Sequence, residues 1–393
     1  MQIKTADRLN GIGEYYFSAK LREIDAMNRQ GDPVINLGIG SPDLPPHPDV
    51  IQTLAASASG PGNHAYQSYK GAPALRTSFA HWYQRSYGVT LDPDKEILPL
   101  IGSKEGILHI CMTYLNPGDE ALIPDPGYPT YTSAVRLAGG TPIPYTLSAA
   151  NNWAPDFAAI EKRGLKKVKC MWVNYPHMPT GQAGNEKLFE EIVAFGLKHE
   201  ILICHDNPYS FILNDHPMSL LQVPGAKETV IELNSLSKSH NMAGWRIGMV
   251  GADAARIDEI LRFKSNMDSG MFLPLQLAAA RALELGPEWF TALNEVYAQR
   301  RKKLQELLGL LDCQYDPKQV GMFLWAKVPD QYTDGFMMSD AILQGARVFL
   351  TPGGIFGENG KQYIRISLCG SIEKFSEAIQ RIQAFLKPSN HQA

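Results

Sequence analysis

The segment best equipped for chemistry is Ser235-Leu-Ser-Lys238-Ser-His-Asn-Met-Ala-Gly-Trp-Arg246-Ile-Gly248, a lysine set among hydroxyls just after the apolar run Thr229–Leu233. A free lysine amine titrates near ~10.4 and is a spectator cation at neutral pH. Condensed with an aldehyde as an imine, the same nitrogen becomes a leaving group for an incoming amine, and once released it is a base. A second candidate is Asp206, which follows the apolar run Ile201–Cys204 in Asp206-Asn-Pro-Tyr209, although such a sequence also suits an ordinary turn. A third is Gly102-Ser103-Lys104-Glu105, which follows Ile97–Leu100 and opens a helix. There, exposed backbone N–H groups and the positive end of the helix dipole are available to an anion.

Serines before the lysine, an arginine eight residues after it and a glycine two beyond that give this stretch its character. It resembles the class I/II aminotransferases among the pyridoxal-phosphate fold type I enzymes. The resemblance implies that Lys238 holds pyridoxal 5'-phosphate as a Schiff base and then moves a proton between the substrate α-carbon and the cofactor. Arg246 and the hydroxyls of Ser235 and Ser237 are similar to the family's phosphate ligands, with turn capping as the other reading of the serines. Ser103 and Lys104 fall where the family places its phosphate-cupping turn. Asp206 looks like the acid that keeps the pyridine nitrogen protonated, and Tyr209 like the tyrosine bonded to the ring's phenolic oxygen.

Further motifs follow in the family's order. Asn174-Tyr-Pro-His-Met-Pro179-Thr-Gly181 resembles the signature N-P-x-N-P-T-G, with Tyr175 and Met178 where a proline and a second asparagine are usual. Asn174 would donate to the phenolic oxygen and border the substrate. Tyr128, in Asp-Pro-Gly-Tyr128-Pro-Thr-Tyr, matches the aromatic stacked on the pyridine face, with core packing as its alternative. Tyr66, spaced to Gly71 as the family requires where Tyr69 is not, would reach the phosphate held by a neighbouring subunit, which implies a homodimer with shared sites. Arg365, in Tyr-Ile-Arg365-Ile-Ser-Leu, resembles the arginine that grips the substrate α-carboxylate, a task for its planar fork that lysine would not replace. Gly40 matches the glycine whose backbone approaches the same carboxylate; a plain turn is the alternative.

Elements must hold these residues in place. Short apolar runs at Ile97–Leu100, Ala121–Ile123, Thr141–Tyr145, Val168–Val173, Ile201–Cys204, Thr229–Leu233 and Ile247–Gly251 alternate with helical stretches, of which Glu186–His199 shows Leu188, Ile192 and Phe195 on one side. Such alternation predicts an α/β fold whose large domain has a mostly parallel seven-stranded sheet flanked by helices. Before it, Ser18 caps a predicted helix that carries Leu21, Ile24 and Met27 on one face and stops at Gly31, followed by an extended piece Val34–Leu37. After about residue 285 a stripe of Leu304, Leu307, Leu308 and Leu311 precedes three short strands and an end helix with Ile372, Phe375, Ile379, Ile382 and Phe385 at helical spacing. This reads as a smaller α+β domain. The expected division is 1–45, joining the small domain; 46–285, binding the cofactor; and 286–393. The basic run Arg300–Lys303 reads as a solvated helix face.

Composition narrows the function. With 393 residues, 44% hydrophobic and 20% charged, the chain is neither disordered nor membrane-like, and a net charge of −3 lacks the footprint of a nucleic-acid or membrane-surface binder. Cys111, Cys170, Cys204, Cys313 and Cys369 are scattered, without a C-x-x-C pair, so neither a metal site nor a disulfide framework is signalled. The N-terminal residues lack the apolar core of a signal peptide, and a cytoplasmic location is expected. What the resemblance implies is a ping-pong aminotransferase exchanging amino groups between α-amino acids and 2-oxo acids. Aspartate, diaminopimelate, aromatic and broad-specificity members share these motifs, so the donor stays open. So do two other readings: a carbon–sulfur β-lyase on the same fold, and a cofactor-binding protein without turnover.

Overall fold

The structure, a computed structural model, describes residues 3–10, 12–13, 16–31 and 33–387. A two-residue strand, β1 (Ile35–Asn36), precedes the seven strands of the central sheet. These are β2 (Ile97–Leu100), β3 (Glu120–Asp125), β4 (Thr141–Thr146), β5 (Val168–Val173), β6 (Leu202–Asp206), β7 (Val230–Ser235) and β8 (Gly248–Gly251). They lie in the order β2-β8-β7-β6-β5-β3-β4, parallel except for β8, which runs against both of its neighbours.

The apolar runs are continuous because both faces of the sheet are covered. Side chains alternate across a strand: on β5, Cys170 and Trp172 pack with Ile107, Ile110 and Tyr131 on one face, while Met171 and Val173 pack with Phe79, Phe189 and Ile192 on the other. The helix Glu186–His199 forms as its pattern predicts, with Asn185 accepting from the Leu188 N–H as its cap and Leu188, Ile192 and Phe195 buried. Parallel registry then sets the strand ends side by side, with Val173 opposite His205 and Asp206 opposite Leu233. Residues just past those ends are therefore neighbours in space, the position at which open α/β sheets bind ligands.

Four strands follow: β9 (Phe323–Lys327), β10 (Val348–Phe349), β11 (Thr351–Pro352) and β12 (Tyr363–Ser367). Strands β11, β12 and β9 form an antiparallel sheet in that order. Behind it, Leu304, Leu307 and Leu308 of the helix Pro287–Leu310 meet Phe375, Ile379 and Ile382 of the helix Ile372–Leu386 in a second core. Ile35 and Leu37 enter this core, because β1 pairs in parallel with β10, Ile35 opposite Val348. Among the described residues no helix is long and apolar enough to cross a membrane.

Three local expectations change. The first helix spans Tyr16–Arg29, so Ser18 lies exposed within its first turn and is not the cap; the two positions before Tyr16 lie outside the described residues. Its apolar side chains also divide: Ile24 is buried against Leu343 and Phe349, whereas Leu21 turns toward the cleft described below. In the basic run, Arg300 points inward and grips both carboxylate oxygens of Asp43 at 2.7 Å while also donating to the Leu368 carbonyl. A buried guanidinium needs such partners, and periodicity alone does not reveal an acid 257 residues away.

Candidate active site at the strand ends

Strand β7 ends at Ser235, whose hydroxyl accepts from the Ser237 N–H at 3.1 Å and starts the short helix Leu236–Ser239. Ser235 thus caps a turn and lines the cleft at once. Lys238 rides on this helix and its amine donates to the Gly40 carbonyl. Burial draws that amine down to about 8; the nearby Cys369 thiol opposes the shift, and the guanidiniums of Arg365 and Arg246 add to it. A nitrogen that sheds its proton near neutrality can attack a carbonyl.

Strand β6 ends at Asp206, which is buried. Its Oδ2 accepts from the Tyr131 hydroxyl at 2.9 Å, while its Oδ1, also buried, has no hydrogen-bond partner among the described residues. Burial pushes the carboxyl up to about 6; the Tyr131 bond and His205 pull the other way. Tyr131 is itself fixed by stacking on Trp172, centroids 5.0 Å apart. Asn174, just past β5, donates from its amide to the Asp206 carbonyl and accepts from the Met178 N–H at 2.7 Å. Much of its capacity therefore ties the 174–181 loop to β6. Tyr209 lines the cleft and meets Phe323 edge on.

An anion cradle forms where the helix Ser103–Tyr114 begins. Gly102 has φ +79, and a Cβ there would lie 2.1 Å from Nη2 of Arg246, so only glycine lets the guanidinium lie against this turn. Ser103, Lys104, Ser237 and Arg246 all line this part of the cleft. Farther along, Arg365 of β12 is buried, donates to the Gly38 carbonyl at 2.9 Å and lies over the Phe323 ring, 3.9 Å from its centroid. Phe323 also lies so close to Gly40 that a Cβ there would be 2.2 Å from the ring.

Lys238, Asp206, Asn174, Tyr209, Arg246 and Arg365, with Tyr128, line one cleft of about 420 Å³. Tyr66 does not; its side chain points to solvent, 90% exposed. Elsewhere, Glu105, His109 and Asp268 bring ligand atoms within 4.8 Å of one another, but the Lys264 ammonium stands among them, paired with Asp268 and 3.6 Å from Glu105. That group is an ion-pair network.

Comparison with known proteins agrees with this geometry. The profile of the family described as aminotransferase class I and II matches residues 32–382. The LL-diaminopimelate aminotransferase of Moorella thermoacetica is 41% identical over 386 residues, covering 98% of this chain and 99% of the relative. That of Dehalococcoides mccartyi is 40% identical over 385 residues, covering 98% and 99%. Apo-BacF from Bacillus subtillis shares the fold with a TM-score of 0.94 at 35% identity, covering 98% of both chains. The chain belongs to the class I and II aminotransferases.

As a member of that family it is a pyridoxal-phosphate-dependent aminotransferase of fold type I. The residues fit the cofactor on structural grounds. Asp206 offers a bare, buried carboxylate oxygen to a ring N–H, Gly102 and Arg246 make a cradle that a Cβ would fill, and Lys238 brings a largely buried amine into the same cleft. Sequence reasoning passed over several residues of the aminotransferase cleft. Tyr131 looks like core in the first turn of its helix, and Phe17, Phe323 and Phe356 carry no motif; only the spacing of Tyr131 three residues after Tyr128 hinted that both reach one site.

Proposed function

We propose that this aminotransferase works through Lys238, with Arg365 holding the substrate α-carboxylate and Asp206 facing the cofactor ring. The observation that carries the reading is the convergence of a largely buried amine, a bare buried carboxylate oxygen and a buried guanidinium on one cleft. Bound pyridoxal phosphate supplies an aldehyde that joins an amine and a ring that draws electrons from the carbon beside it. The chain does the rest. Arg246, Ser103, Lys104, Ser235 and Ser237 hold the phosphate, Ser235 also capping the short helix that carries Lys238. Asp206, kept in place by Tyr131, holds a proton on the ring nitrogen, while Tyr209 and the remaining N–H of Asn174 serve the phenolic oxygen. Tyr128 covers the ring face. Arg365 and the backbone at Gly40 orient the substrate so that its α-hydrogen faces the Lys238 amine, which moves that proton. Two half-reactions of this kind, with an amino acid and then a 2-oxo acid, make a ping-pong cycle.

The same reading divides the chain into 1–45 with 286–393 as the small domain and 46–285 as the cofactor domain, and the β1–β10 pairing supports it. It also makes the enzyme a cytoplasmic homodimer, with Tyr66 completing the partner's cradle. Tyr69, Met267 and Phe272 are exposed beside Tyr66, on segments that touch through His64 and Phe272 and through Gly270 and Gln67, an apolar surface that suits a second copy. The relatives' names bring LL-diaminopimelate to this chain as one candidate donor.

The test follows the cofactor absorbance as amino donors are added in the absence of acceptor. The intact enzyme is expected to convert its cofactor with at least one donor, and Lys238→Ala to be slower by about 10³-fold or more. Equal rates for the two would refute the role of Lys238. Sedimentation of the holoenzyme as a monomer would refute the shared site.

A further inference from the structure

The ladder between β5 and β6 ends at the pair Val173–His205, one residue short of both Asn174 and Asp206. Past that pair two side chains carry the tie onward. Asn174 donates to the Asp206 carbonyl, and the His205 ring reaches back to Tyr175, its Nε2 3.0 Å from the carbonyl oxygen and 3.3 Å from the backbone nitrogen. Position 175 is one where the motif usually carries a proline, which has no N–H; the tyrosine brings a buried one that needs a partner. An imidazole nitrogen placed between these two backbone groups holds one of them whether or not it carries a proton.

The other ring nitrogen is fixed from β7. His205 Nδ1 lies 2.8 Å from Oε2 of Glu232, its partner across the ladder, and both side chains are fully buried. The Tyr83 hydroxyl, the Ser219 hydroxyl and the Leu220 N–H donate to the same carboxylate at 2.9, 2.8 and 2.9 Å. Asn234 donates to the Tyr83 oxygen at 3.2 Å, which leaves the phenol proton for Glu232. Surrounded by donors, the carboxylate accepts from His205 Nδ1–H and so sets the orientation of the ring. His205 and Asp206 are adjacent on β6 and face opposite sides of the sheet. The His205 ring meets Phe189 edge on, centroids 5.5 Å apart, while Asp206 meets Tyr131. Packed hydrocarbon would serve stability there at least as well as a buried His–Glu pair. Hydrocarbon could not hold the backbone of residue 175.

We propose that His205, aligned by Glu232, is a positioning residue for the cofactor ring: it pins the Asn174–Tyr175 joint to β6 and so sets the separation of Asn174 and Asp206. This rests on the roles given above, Asn174 at the phenolic oxygen and Asp206 at the ring nitrogen. Neither His205 nor Glu232 lines the cleft; both act through the backbone that carries the two ring ligands.

The experiment compares the unaltered enzyme with Glu232→Gln, His205→Phe and the double variant. Glu232→Gln keeps the shape and one acceptor oxygen, and His205→Phe keeps a ring against Phe189. Measured are the dissociation constant of pyridoxal phosphate from the cofactor-free proteins, well below their melting temperatures, and kcat and KM of the holoenzymes for one amino donor. Each single variant is expected to weaken cofactor binding by on the order of tenfold and to lower kcat by a similar factor, with the double variant adding little. KM is expected to stay within about twofold, since Arg365 is untouched. Lower melting temperatures with an unchanged dissociation constant and kcat overturn the proposal, as do losses that multiply in the double variant. If His205→Phe fails to fold, Glu232→Gln decides alone. Asp206→Asn and Asn174→Ala are the controls. Unchanged cofactor affinity in both overturns the ring roles and the positioning with them, whereas losses in these two beside intact His205 and Glu232 variants overturn the positioning alone.

Discussion

The Tyr131 hydroxyl lies 2.9 Å from Oδ2 of Asp206, while Oδ1 of the same carboxylate has no partner among the described residues. One oxygen is thus fixed to the protein and the other is kept for a ligand, which orients the acid without using it up.

Tyr131→Phe removes that bond and leaves a buried carboxylate oxygen unsatisfied, a loss of about 1–3 kcal/mol in stability. The Tyr131 bond pulls the Asp206 carboxyl down against the effect of burial, so its removal moves the acid limb of the pH–rate profile upward. Thermal melts together with kcat/KM from pH 5 to 9 check both. An unmoved acid limb would mean that the tyrosine only packs.

Asp206→Asn separates stability from activity. In the cofactor-free protein the Asp206 carboxyl is raised from 3.8 to about 6 by burial, so between those values the folded chain holds a proton that the unfolded chain has lost. Stability falls as pH rises through this window, and a neutral amide escapes the loss. Above pH 6 the cofactor-free variant should gain on the order of 3 kcal/mol, fading below pH 4. The holoenzyme should lose at least about 10²-fold in kcat. Denaturant unfolding at pH 4 and pH 8 reads the first effect and steady-state kinetics the second.

Arg365→Lys replaces a flat fork by a point charge. The ammonium cannot reproduce the broad contact with the Phe323 ring together with the bond to the Gly38 carbonyl. KM for the amino donor should rise by on the order of 100-fold, with kcat affected less. A kcat loss with unchanged KM would place the arginine outside the carboxylate grip.

Much of this arrangement is legible in the sequence. Strands β5, β6 and β7 read as buried because their apolar runs are unbroken, and their parallel registry carries Asn174, Asp206 and Ser235 to one edge without further information. Motifs at strand ends are local, so Lys238 and Asp206 could be named from residue order alone. Other features depend on contacts distant in sequence. Leu21 and Ile24 share one helical stripe, yet one faces the cleft and the other the core, a division set by where β10 and the helix Gly335–Ala346 lie. Asn174 reads as a cofactor ligand, but the Asp206 carbonyl and the Met178 N–H also engage its amide. Arg300 reads as solvated because Asp43, its partner, is far off in the chain.

The central claim is that the amine of Lys238 bonds covalently to the cofactor. Borohydride reduction of the resting holoenzyme, followed by digestion and mass spectrometry, tests it most directly. The account predicts one phosphopyridoxyl label per chain, on the peptide containing Lys238; a label on Lys104 or any other lysine, or none at all, would contradict it.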